Sequence, residues 1–143
     1  MGPHLLRVTR PVVKFEELIA AVRHAGDRVG WLELSELPPA PVPEALEAAA
    51  ERGVLRAVSV GGGRSVAVKP MRGPAVLRDL LREHFRGCAL VLARGEVEAP
   101  LLEPEGEGWT VASEGRAATR WTTEELAAAL RKPHPWGDDG AAA

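Results

Sequence analysis

The chain has 143 residues, 45% hydrophobic and 27% charged, with a net charge of −2; these are the proportions of a single globular domain with its own core. No apolar run approaches the ~20 residues that cross a bilayer, and Met1–Arg10 lacks the apolar segment and cleavage site of a secretory signal. Cys88 is the only cysteine, which excludes an internal disulfide and fits a reducing, cytoplasmic setting.

Leu5-Leu6-Arg7-Val8 reads as a short strand ended by Pro11. Phe15, Leu18, Ile19 and Val22 recur at helical spacing before Gly26, so a helix is expected over 15–25. Trp31–Ser35 alternates, with Leu32 and Leu34 on its inner face and Trp31 on its outer face. Pro38-Pro39-Ala40-Pro41 is a stiff connection, after which Pro43 opens a helix that Gly53 closes. Val54–Val60 and Arg64–Lys69 read as strands joined by Gly61-Gly62-Gly63.

Gly73-Pro74 opens a helix over 74–86, with Val76, Leu77, Leu80, Leu81 and Phe85 as its buried stripe. Cys88–Ala93 is apolar at every position, as in a central strand covered on both faces. Glu103, Glu105 and Glu107 fall in what reads as a Pro-Gly loop. Gly108–Ser113 and Arg116–Trp121 form a hairpin, across which Trp109 and Trp121 are expected to pair. Thr122 with Glu125 makes a capping box for a last helix that ends before Pro133. Residues 1–132 thus read as one mixed α/β domain and 133–143 as a flexible tail carrying Trp136.

Residues 30–94 run strand, helix, strand, strand, helix, strand. This is the ferredoxin-like βαββαβ order, here with an N-terminal β-α extension and a C-terminal hairpin plus helix. The alternative is a winged helix, with 15–25 and 43–52 as its helices and the glycine hairpin as its wing.

Charge is segregated: residues 1–51 carry −3, 52–94 carry +7 and 95–143 carry −6. The basic middle marks a polyanion site or is neutralised by the acidic ends. Arg78, Arg82 and Arg86 recur every four residues and share one helix face. Asp79 and Glu83 are placed to pair with them locally, and no aromatic interleaves to stack on bases.

Gly61-Gly62-Gly63-Arg64 resembles an anion nest, but a strand follows it where a phosphate loop needs a helix. Glycine serving a tight hairpin is the simpler account. Cys88 with His84 suggests a thiolate and its base, against a buried structural thiol. His4, His24, His84 and His134 show no metal-ligand spacing, so neither metal nor cofactor is expected. Trp136 and His134, between Pro133 and Pro135, suit an anchor in a partner's pocket or a fold-back onto the domain. The chain has no Asn, Gln or Tyr and 15 Arg to 3 Lys. That bias suits a heat-adapted protein, and a GC-rich genome produces it too.

The functional expectation is a non-enzymatic protein-interaction module, an accessory subunit or adaptor with a protein partner or a second copy. Trp136, His134, Arg78, Arg82 and Arg86 are its expected contacts. Nucleic-acid binding through 52–94 is one alternative. A small enzyme acting on an anionic substrate near Gly61–Arg64 is another.

Overall fold

A computed structural model describes residues 2–136 of the chain. The fold is mixed α/β, with eight strands and four α-helices among these residues. Two compact units divide it: Met1–Leu34 with Leu80–Ala143, here the sheet unit, and Ser35–Asp79, here the ribbon unit.

The sheet unit is built on β1 (His4–Val8), β2 (Val29–Glu33), β5 (Leu90–Arg94), β6 (Leu101–Glu105), β7 (Gly108–Ala112) and β8 (Thr119–Trp121). Their order across the sheet is β2-β5-β1-β6-β7-β8. The β2, β5, β1 and β6 strands run parallel, and β6, β7 and β8 form an antiparallel meander. The apolar hexapeptide supplies β5, which lies between β1 and β2. Leu90, Val91, Leu92 and Ala93 are fully buried, as a strand flanked and covered on both sides requires.

A 3-10 turn (Val12–Phe15) leads into α1 (Glu16–His24), and α4 (Thr123–Ala129) packs beside α1. Leu18 and Val22 of α1 and Leu126 and Leu130 at α4 close over Leu6, Val8, Leu90, Leu92, Leu102, Trp109 and Val111 of the sheet. Phe15 stacks on Trp109 at 5.8 Å and meets Trp31 at 5.9 Å. Trp31 therefore shares the core face with Leu92, its register partner, and is not on an outer face. The Thr122–Glu125 capping box is formed in both directions.

The ribbon unit holds α2 (Glu44–Glu51), β3 (Ala57–Gly61) and β4 (Arg64–Val68). Pro43 stands at the N-cap of α2, one position before the helix. α3 (Leu77–His84) spans the junction where the chain passes back to the sheet unit. Its stripe is half-buried at Leu77, Leu80 and Leu81, and Val76 is 49% exposed.

Two further expectations are corrected. The βαββαβ order occurs along the chain, but its middle strands β3 and β4 pair only with each other, and its outer strands β2 and β5 are parallel neighbours. Neither a ferredoxin-like sheet nor a winged helix results. The physical reason lies at β5: β1 offers it a five-residue parallel register, so β5 becomes an internal strand parallel to β2 and not the antiparallel edge strand that a ferredoxin-like sheet requires. Second, Glu103 and Glu105 lie in β6, not in a loop. Pro104 pairs with Trp109 at a position whose N–H would point away from β7, and β1 has ended by then, so no ladder bond is lost.

Candidate functional site

The β3-β4 ribbon follows from its turn. Gly62 and Gly63 have φ of 58° and 77°, the two positive values a two-residue type I′ hairpin needs. Gly61 then pairs with Arg64 across the turn, and the register alternates from there. In a hairpin closed this way, Gly61–Arg64, Ser59–Val66 and Ala57–Val68 exchange hydrogen bonds inward. The N–H and C=O groups of Val58 and Val60 on β3, and of Ser65 and Ala67 on β4, point outward. Among the described residues none outside the hairpin bonds to them.

The ribbon has unequal faces. Ala57 and Val68 share the side on which α2 packs, with Leu46 and Ala57 buried there. Val58, Val60, Ser65 and Ala67 share the other, where Val58 is 53% and Val60 78% exposed. The exposed Glu44, Glu47 and Glu51 belong to α2, whereas residues 52–78 contain six basic groups and no acidic one. Gly61, Gly62, Gly63 and Arg64 are thus an exposed hairpin tip, with neither helix nor titratable neighbour inside the ribbon.

Arg78 and Arg82 lie on α3, and Arg86 stands in the turn beyond it; all three are exposed. Cys88 is half-buried and free. His84 lies 3.8 Å from the Glu83 carboxylate and edge-on to Phe85. Among the described residues no group of three or more His, Cys, Asp or Glu is placed to hold a metal ion.

In the tail, His134 is exposed and Trp136 is half-buried. Trp136 meets His4 edge-on at 5.7 Å and Trp121 at 6.1 Å, contacts that support the fold-back account of this side chain. His4 Nε2 lies 2.9 Å from the Leu130 carbonyl and ties β1 to the end of α4. The tail beyond Trp136 lies outside the described residues.

The sheet unit also carries crevices. One of about 770 Å³ is lined by Glu17, Glu107, Glu124, Glu125 and Arg120 around Thr122 and Thr123. Its polar groups are largely spent on structure. Glu125 caps α4, Arg120 pairs with Glu105 at 2.9 Å, and Thr123 accepts from the Trp109 indole at 2.9 Å. Another, of about 500 Å³, lies where Arg7 meets the 97–100 segment and Ser113-Glu114.

Sequence reasoning missed the open ribbon edges, because pairing partners are a property of the fold. It had the signal for the apolar face: Val58 and Val60 alternate with Ser59. No known family model matches this chain, and none of the curated proteins is detectably similar to it in sequence.

Proposed function

We propose that the chain is a non-enzymatic protein-interaction module, an accessory subunit or adaptor of a larger assembly, with the ribbon unit as its contact element. One observation carries this reading. Among the described residues, eight of the ten strongly exposed large apolar side chains fall within Ser35–Asp79, Leu55 (81%), Val60 (78%) and Leu37 (77%) foremost. Such clustering marks a contact surface, since single scattered apolar residues are the ordinary case. The sheet unit, by contrast, closes its core over α1 and α4. The test is affinity purification from the native host with the parent chain and with a Leu55→Ser, Val58→Thr, Val60→Thr variant. The parent is expected to recover a partner in near-stoichiometric amount and the variant to lose it. Equal recovery by both overturns the assignment to the ribbon.

A second reading, nucleic-acid binding, draws on the acid-free run from Arg52 to Arg78. It requires an affinity that falls steeply with salt. Fluorescence anisotropy with single-stranded and duplex DNA at ~50 mM salt tests it, and a flat titration removes it. The enzyme alternative fares worse, because residues 57–68 contain no carboxylate, imidazole or thiol to act as a base.

A further inference from the structure

We propose that the chain forms a symmetric dimer in which the outer edge of β3 pairs, antiparallel, with β3 of a second copy. The pairing rests on the ribbon being the contact element and names the occupant of its edge. Val58 and Val60 each present one N–H and one C=O away from β4, giving four open backbone groups. Edge strands that must stay unpaired carry charge, proline or a bulge at such positions. Ala57–Gly61 carries none of these and is held in regular register to its end. A two-stranded ribbon is also marginal by itself, whereas the pairing makes one four-stranded sheet in the order β4-β3-β3-β4.

The edge is its own complement. An antiparallel pairing centred on Ser59 sets Val58 opposite Val60 of the second copy, and Val60 opposite its Val58. These are the residues whose groups point outward, so each pair exchanges two hydrogen bonds and all four groups of both copies are satisfied. Moving the centre to Val58 or Val60 leaves one such pair within Ala57–Gly61. The two-fold axis stands perpendicular to the ribbon, so the open faces of the two copies coincide. Val58 and Val60, 53% and 78% exposed, then pack across the seam against their counterparts. Charge permits this pairing: Ala57–Gly61 is uncharged, and the continued register sets Arg56 opposite Gly62 of the second copy. On β4 the outward groups belong to Ser65 and Ala67, which offer less apolar surface, with Arg64 at the strand's start. Joining β3 to β4 of another copy is a head-to-tail contact that does not close, whereas the β3 pair closes at two. A five-residue edge falls short of the ~1,200 Å² that stable complexes bury, so the dimer is weak and reversible.

The test is sedimentation velocity of the full chain from about 1 to 500 µM, where a monomer–dimer equilibrium with a Kd of about 10–100 µM is expected. Val58→Lys with Val60→Lys sets like charges directly opposite in the seam and is expected to weaken dimerisation about tenfold or more. Val58→Lys with Val60→Glu sets lysine opposite glutamate in this register, and is expected to dimerise about fivefold more tightly than the double-lysine chain. Ser65→Lys with Ala67→Lys adds the same charge on the other edge and is expected to leave the Kd within about twofold. All the substituted positions are exposed and all the variants keep the backbone donors, so the hairpin ladder is retained. The proposal is overturned by any of five outcomes: a parent that stays monomeric, parental dimerisation of the double-lysine β3 chain, equal loss in the β4 variant, a lysine–glutamate chain no tighter than the double-lysine one, or association that grows past a dimer. A monomeric parent that still needs Leu55, Val58 and Val60 to recover its host partner makes a different protein the occupant and overturns the dimer alone. A dimer that obeys the charge pattern, with host-partner recovery indifferent to those residues, supports the strand pairing and overturns the broader reading instead.

Discussion

The Trp109 indole is 97% withdrawn from solvent, by its 3% exposure, so its N–H needs a protein acceptor. Thr123 Oγ1 accepts it at 2.9 Å, and the Thr123 hydroxyl lies 3.3 Å from Glu17, which links β7, α4 and α1. Thr123→Val keeps the shape and strands the indole donor. It is expected to cost about 1–3 kcal/mol, read as a lower midpoint in urea unfolding. Gly30 is fixed by space: a Cβ there would lie 2.8 Å from Phe85 Cε1. Gly30→Ala is expected to destabilise by about 1–3 kcal/mol, and Phe85→Leu in the same chain to recover part of that loss. Neither role is legible in the sequence, which shows a threonine after a cap and a glycine inside a strand. Each depends on a side chain brought from elsewhere in the fold.

At the scale of elements, local chemistry read well wherever partners are neighbours in sequence. The capping box at Thr122 and Glu125 formed as its spacing foretells, and Thr122→Ala is expected to cost about 1 kcal/mol by thermal unfolding. The Gly62-Gly63 turn formed because no other residue enters the left-handed region so cheaply. The β6 strand was illegible for a complementary reason. Pro104 breaks a strand only where its N–H is needed, and whether it is needed depends on how far β1 extends alongside. The arginine stripe shows the same limit, since α3 ends at His84 and Arg86 falls beyond the helix that was to align it.

At the scale of the molecule, the two units differ in how much apolar surface they bury. The ribbon unit buries only Leu46 and Ala57 among its large and small apolar residues, whereas the sheet unit has a continuous core. Hydrogen exchange is therefore expected to be faster at Ser59 and Val66 than at Leu6 and Leu92, because local opening follows the density of buried contacts. Leu92→Ala, in the strand covered on both faces, is expected to cost about 2–5 kcal/mol. Among the described residues no helix is long and apolar enough to cross a membrane. From sequence alone came the class of the fold, the burial of β5 and the segregation of charge. Composition and short-range periodicity set these, and both are local quantities. Which strand lies beside β5, which ribbon edge stays open and where Trp31 and Trp136 pack were decided by tertiary structure. Strand pairing and face coverage join residues tens of positions apart, and competing partners are compared only once the whole chain has folded.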